Sequence, residues 1–332
     1  MDSEISNIPA ISARKFLERW LSVLGPFLGL ALVVITFSAL TGSPEKYLSP
    51  FNIRIVLSQT VIVAISSIGM TIIIISGGID LSVGSVIALT GVVTALCVNA
   101  GIDPIFAVIA GVAAGGFVGF LNGVAITGLR VVPFIATLGM LGIARGAAKW
   151  IAGQEPVNAS PTWINELVVT FPDPPWLILS AGVWIAIILA VVMAIVLRRT
   201  VFGRRVFALG SNEAAARACG IATGKLRIWI YGLAGLFFGL AGVMQMSRLR
   251  QGDPTVAAGS ELDIIAAVVI GGGSLNGGQG TILGSIVGAL IMAFLRNGCL
   301  QMGWANYVQE IIIGAIIVAA VAIDQLRPKN VQ

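Results

Sequence analysis

The sequence predicts an all-α integral membrane protein of about ten spanning helices, both termini cytoplasmic, with some helices broken by glycine-rich turns. Three observations carry this prediction. Hydrophobic residues make up 57% of the 332 and charged residues only 11%, with a mean hydropathy of +0.98, whereas soluble domains carry about 25% charge. Apolar runs of spanning length recur along the chain, and ten spans of about 20 residues would occupy roughly 200 residues, leaving no room for a separate globular domain. The basic residues are distributed unevenly about those runs, which fixes an orientation.

In chain order, residues 1–19 are polar and read as a cytoplasmic tail, 20–325 as a single membrane domain, and 326–332 as a second cytoplasmic tail. The apolar run Trp20–Leu40 is too long for the core of a signal peptide and reads as the first span. The remaining spans are Ile55–Ile75, Val83–Val98, Pro104–Thr127, Val132–Ala152, Leu177–Leu197, Ile228–Met246, a short Asp263–Ile270, Thr281–Leu295 and Tyr307–Ile323. With the N-terminus inside, thirteen of the twenty basic residues fall on the cytoplasmic side, as the positive-inside bias requires. The loop 153–176 carries Glu155, Glu166 and Asp173 without a basic residue. Its prolines, Trp163 and Trp176 make it an ordered outer cap at the membrane surface. The loop 198–227 holds seven basic residues against Glu213 alone, so it is +6 where the whole chain is +5. The basic balance therefore belongs to one cytoplasmic loop and implies no nucleic-acid partner.

The absence of histidine excludes Ser-His-Asp triads, Cys-His nucleophiles and histidine metal sites. Cys97, Cys219 and Cys299 form no C-x-x-C pair, so neither a disulfide framework nor a metal site is supported. A Walker A motif fails near Gly224-Lys225, where Leu226 replaces Ser or Thr and Cys219 replaces the first glycine. A dinucleotide fingerprint fails after Gly271 and Gly273 because Asn276 stands where the third glycine belongs. The chain holds no ATP site of its own.

Two features point towards function. Within the basic loop, Ser211 and Asn212 are good N-caps for a short helix over Glu213–Ala218, and Gly220 is a natural stop. An ordinary positive-inside loop explains the arginines but not this capped segment, which fits the docking of a cytoplasmic partner. The second feature is a pair of helix breaks. One holds Gly77, Gly78, Asp80, Ser82 and Gly84; the other holds Gly271, Gly272 and Gly273. Both follow Ile/Val-rich runs and precede helices rich in small residues, a weak internal repeat of the kind found in transporters. Asp80 or Ser82 caps the following helix; a carboxylate at a break can also bind a cation or proton, but no second acid lies nearby in sequence.

Glycines recur every fourth residue at Gly111, Gly115, Gly119 and Gly123, at Gly280, Gly284 and Gly288, and at Gly142 and Gly146. This spacing lets helix backbones approach closely. Arg145, Arg296, Glu310 and Asp324 lie near predicted span ends, where snorkelling accounts for Arg145, Arg296 and Asp324. No carboxylate stands out as hidden near the midplane, so energy for transport comes from outside the chain. An ion-coupled secondary carrier acting alone is the rival reading. An intramembrane enzyme or a bare scaffold is a third.

GGIDLSVGS at 77–85, FGRRVFALGSNEAAARACGI at 202–221 and ELDIIAAVVIGGGSLNGGQG at 261–280 together resemble one family. It is the permease subunit of bacterial ribose-type monosaccharide ABC importers, multi-pass proteins of the inner membrane. PFIATLGML at 133–141 and GMTIIIISGGID at 69–80 fit as well, and the resemblance runs from about residue 20 to 325. It implies a pore of two permeases, either two copies or a copy and a paralogue. An ATPase subunit with two fused nucleotide-binding domains lies below, and an extracytoplasmic sugar-binding protein above. It further implies that Asn212, Glu213, Ala214, Ala215, Ala216 and Arg217, closed by Gly220, form a coupling helix in a groove of the ATPase subunit. Ser211 stands where a second glycine is often found. ATP and magnesium would sit on the partner, and this chain would bind neither cofactor nor metal. Relatives handle ribose, other pentoses, hexoses, methyl-pentoses, polyols and signalling furanoses, so the particular sugar does not carry over. Candidate groups along the substrate pathway are Gln59, Ser66, Asn122, Phe134, Thr137 and Gln245, which offer hydroxyl partners or a stacking face. Most are equally suited to interhelical hydrogen bonding or packing.

Overall fold

The computed structural model describes residues 13–172 and 175–326. Residues 1–12, Asp173, and the C-terminal residues with Arg327 and Lys329 lie outside the described residues, as does the side chain of Asp324. Each of the ten apolar segments coincides with a helix. These are α1 (Ala13–Leu40), α3 (Pro50–Ile75), α4 (Val83–Asn99), α5 (Pro104–Gly128), α6 (Pro133–Ile151), α7 (Ala181–Arg199), α10 (Thr223–Leu249), α11 (Ser260–Ile270), α12 (Ile282–Gln301) and α13 (Asn306–Leu326). Short helices α2 (Pro44–Tyr47), α8 (Val201–Ser211) and α9 (Glu213–Ala218) complete the set. Helix α1 starts at Ala13, so the backbone of the basic stretch with Arg14, Lys15 and Arg19 is helical.

Local chemistry sets the starts. Proline occupies the first turn of α3, α5 and α6, where its missing N–H costs nothing. Ser49 caps α3 through Asn52 N at 3.2 Å, Asp103 caps α5 through Ile105 N at 2.9 Å, and Thr281 caps α12 through Gly284 N at 3.0 Å. Among the described residues, six helices are long and apolar enough to cross a membrane: α3, α5, α6, α7, α10 and α12.

These helices differ in what surrounds them. Of the most apolar window of α3, 89% is buried inside the protein, against 17% for α6. Helix α3 is the central post, and α10, α12, α11, α7 and α8 all pack on it. Hydropathy alone does not separate the two cases, because lipid and protein interior are equally apolar solvents. The glycine-every-fourth face of α5 meets the backbone of α10: a Cβ on Gly115 would lie 2.6 Å from Gly239 Cα, and one on Gly123 would lie 2.7 Å from Ile228 Cα. The second series serves α12 against α11, where a Cβ on Gly288 would fall 2.7 Å from the Ala267 carbonyl carbon. Gly142 and Gly146 behave differently from the packing expectation. A Cβ on either would meet nothing within 4 Å among the described residues, so their face of α6 is open there.

The described residues of the segment 153–176 form short elements. Val157–Asn158 pairs antiparallel with Gln251–Gly252 just after α10, forming the two-stranded sheet of the described residues. A 3₁₀ turn over Trp163–Glu166 follows, with a reciprocal capping box between Thr162 and Asn165.

Candidate functional site

The two helix breaks, distant in sequence, touch each other. Helix α3 ends at Ile75, where Gly77 takes φ +80°, a left-handed turn that other residues adopt only with strain. The carbonyl of Ile75 accepts a hydrogen bond from Gly278 N at 2.8 Å, which joins the first break to the second. Gly210, in the last turn of α8, is wedged between the same two groups. A Cβ there would lie 2.6 Å from Gly278 N and closer still to the Ile75 carbonyl oxygen. Ser211 follows, and α9 begins two residues later. One contact of three backbones therefore ties both breaks to the root of the arm that carries α9.

The first break is also gripped from its other sides. Asp80 is buried; its Oδ1 accepts from Ser82 N at 2.7 Å and Ser82 Oγ at 2.6 Å, and its Oδ2 accepts from Asn122 Nδ2 at 3.2 Å. Asn122 Nδ2 donates to Ser82 Oγ as well, at 3.0 Å. Thr137 Oγ1 of α6 accepts from Leu81 N at 3.2 Å, and Tyr231 Oη of α10 donates to Ile79 O at 3.3 Å. The expected cap therefore takes another form. Ser82 is the N-cap residue of α4, but its side chain makes no bond to the helix's free N–H groups, and Asp80 instead closes the turn onto Ser82. Gly78 lies in this packed turn against Tyr231, and Gly84 sits in the first turn of α4 against Ala257. Gly271, Gly272 and Gly273 close α11, with Gly271 against Gly284 of α12.

The structure corrects the reading of the charged residues. Asp80 and Asp263 are both buried, although the sequence singled out no hidden carboxylate. Asp263 escapes notice because its partner is remote in sequence: Arg296 Nη2 forms an ion pair with its Oδ2. Arg296, itself exposed, is thus tied to a buried carboxylate, an anchor that its place near a span end does not reveal. Arg145 is likewise tied to the chain: its Nη1 donates to Pro254 O at 2.8 Å and Val256 O at 2.7 Å, clamping the loop after the strand Gln251–Gly252.

On the basic arm, α8 is a helix where the sequence predicts a loop. Its signal was present, because Gly203, Val206 and Leu209 recur at helical spacing and are buried. Asn212, rather than Ser211, caps α9, accepting from Ala215 N at 2.9 Å, while Ser211 closes α8. Gly220 at φ +82° ends α9: its N–H reaches Arg217 O, and Ile221 N reaches Ala216 O. Glu213 binds Arg227 Nη2 at 2.8 Å and Arg217 Nη2 at 3.0 Å. The Arg227 hydrogen bond holds its carboxyl below the usual glutamate range, with Arg217 adding to it. Ala216 is buried beneath the helix, whereas Ala214, Ala215 and Arg217 are exposed. Glu213, Ala214, Arg217 and Ala218 line a shallow depression facing outward.

The six pathway candidates do not converge on one constellation. Asn122 and Thr137 meet at the first break. Ser66 and Gln245 are buried in α3 and α10, and Ser66 Oγ has no hydrogen-bond partner among the described residues. Gln59 is half-buried on α3, and Phe134 stands exposed on α6.

The chain matches the family model described as branched-chain amino acid transport system / permease component over residues 52–321. It is 40% identical to the ribose import permease protein of Escherichia coli strain K12, covering 94% of this chain and 96% of the relative. The chain belongs to the ribose-type ABC permease family. The ribose import permease protein of Bacillus subtilis strain 168 is 39% identical, covering 91% of this chain and 92% of its own. The D-allose transport system permease protein of E. coli strain K12 is 35% identical, with 92% of each chain covered. No solved structure matches. Family membership and the apolar helices make this chain a multi-pass inner-membrane permease subunit, a pore component rather than an enzyme, whose family works with an ATPase and a binding protein.

Proposed function

We propose that this chain is the pore-forming subunit of an ATP-driven importer for a monosaccharide of the ribose-like class. In this reading the chain crosses the inner membrane ten times with both termini inside; 153–176 faces the binding protein and 198–227 the ATPase. Asn212, Glu213, Ala214, Ala215, Ala216 and Arg217, closed by Gly220, are the coupling helix. ATP and magnesium reside on an ATPase subunit with two fused nucleotide-binding domains, and this chain holds no cofactor. One observation carries the coupling assignment: α9 is capped at both ends, braced by the Arg227–Glu213–Arg217 network, and still presents an exposed face. A helix stiffened this way transmits a push instead of fraying.

The open glycine face of α6, with Gly142 and Gly146 unopposed and Phe134 exposed beside Thr137, supports a second permease copy or paralogue meeting the chain there. The pathway would then run along α6, with Phe134 as a stacking face; Gln59, Ser66, Asn122, Thr137 and Gln245 would serve it at most through the packing behind that face.

The coupling reading is tested in reconstituted complexes. Glu213→Lys and Arg217→Glu should each abolish substrate-stimulated ATPase activity while the permease remains folded in the membrane. Normal stimulation in both overturns the assignment. Uptake by the purified chain alone under a sodium or proton gradient would favour the ion-coupled carrier, for which the buried Asp80 is the specific point of interest.

A further inference from the structure

We propose that the groove bounded by α3, α7 and α12 is a binding site for an anionic phospholipid, with its acyl chains along the apolar walls and its phosphate held by Arg198 and Arg199. The groove has a volume of about 820 Å³. Val61 and Ala64 of α3 form part of its floor, Val191 and Ile195 of α7 one wall, and Ile286 and Leu290 of α12 the other. Helix α7 lines it from Val183 to Arg199. At 1.5 Å per residue that is about 24 Å, most of the roughly 30 Å hydrocarbon layer. An apolar slot of this length within a bilayer is filled by hydrocarbon, and acyl chains are the hydrocarbon at hand.

Charge selects the headgroup. Charge enters the groove at one end, where Arg198 and Arg199 are exposed. The one carboxylate of the segment 198–227, Glu213, is occupied by Arg217 and Arg227. Among the described residues neither Arg198 nor Arg199 has a carboxylate partner. A zwitterionic lipid would fill the walls but bring its own cation to the guanidiniums. A phosphodiester with no compensating amine pairs with them in charge-assisted, bidentate hydrogen bonds. Each basic side chain near an anionic headgroup contributes enough that two give roughly a 30-fold preference. Arg199 also leads through Thr200 directly into α8, so a phosphate held here braces the root of the arm that carries α9.

The test is native mass spectrometry of the full chain, offered phosphatidylglycerol and phosphatidylcholine of equal acyl length. The expected result is a preference of about 30-fold for phosphatidylglycerol, lost in the double variant Arg198→Gln/Arg199→Gln and largely kept in Arg198→Lys/Arg199→Lys. Ala194→Trp, which fills the groove without touching the arginines, should reduce phosphatidylglycerol retention. An equal affinity for the two lipids, or a preference unchanged by the glutamine pair, overturns the proposal. So does near-complete disulfide cross-linking of Val191→Cys between two copies in membranes, which would give the groove to a second permease. None of these outcomes depends on whether α9 contacts an ATPase.

Discussion

Gly210→Ala is the sharpest perturbation the structure offers. The new Cβ would sit 2.6 Å from Gly278 N, 2.9 Å from the Ile75 carbonyl carbon and nearer still to its oxygen. Comfortable carbon contacts lie at about 3.5–4.0 Å, and the opposing atoms are backbone that cannot swing aside. The two breaks must separate by roughly 1 Å, which stretches the Gly278 N–H to Ile75 O bond beyond 3.5 Å and breaks it. Overpacking costs about 1–3 kcal/mol, and the carbonyl of buried Ile75 left unpaired adds about 1–3 kcal/mol. The sum, roughly 2–6 kcal/mol, corresponds to about 4–12 °C in apparent Tm at some 2 °C per kcal/mol for a chain of this length. Thermal unfolding in detergent at one scan rate measures it. Gly224→Ala is the control, because the nearest atoms to its Cβ are 3.9 Å away. A Gly210→Ala protein that melts within about 1 °C of wild type, as the control should, refutes the three-backbone junction.

Three further outcomes follow from the same geometry. Asn212→Ala removes the bond to Ala215 N and should loosen α9 by about 1 kcal/mol; a nitroxide on the exposed Cys219, with Cys97 and Cys299 replaced by Ala, should become more mobile, and Asn212→Asp should restore it. Because the Glu213 carboxyl is held below its ordinary value of 4.5, its stabilisation is complete above that pH and is lost as pH falls through the lowered value. The same nitroxide should therefore gain mobility below about pH 4.5 in wild type, and Glu213→Gln should show that mobility already at pH 7. At the first break, Asp80→Ala strands the donors Ser82 N and Ser82 Oγ, while Asn122 Nδ2 keeps its bond to Ser82 Oγ, and should cost about 2–6 kcal/mol at about 1–3 kcal/mol per donor, read as a lower Tm. Asp80→Asn should cost far less, because Asn122 Oδ1 has no partner and an amide flip presents it to the new donor.

Hydropathy located every long helix because a spanning segment must be apolar whichever way it faces. For the same reason it could not tell α3 at the centre from α6 at the edge. The capped α9 was legible because capping is local chemistry: Asn212 and Gly220 act on residues three or four positions away. The partner of Glu213 at Arg227, the anchor of Asp263 at Arg296 and the meeting of Gly210 with Ile75 and Gly278 were not legible. Each joins positions that periodicity cannot connect. Glycine spacing marked faces where backbones can approach, but not whether a partner lies within the same chain; α5 and α12 have one, and Gly142 and Gly146 do not.

The seam between α5 and α10 also bears on how the protein is made. Gly115 is synthesised well before Gly235 and Gly239, with α6 to α9 emerging in between. At 5–20 residues per second the interval is on the order of ten seconds. For that time the stretch of α5 from Gly115 to Gly123 lacks the α10 backbone it is shaped for. Helix α11, whose 11 residues reach about 16 Å, is too short to hold a transmembrane position alone and has to wait for α12. Insertion and tertiary assembly are thus separate events, and a chain truncated before α10 would expose a glycine furrow open to the wrong helix.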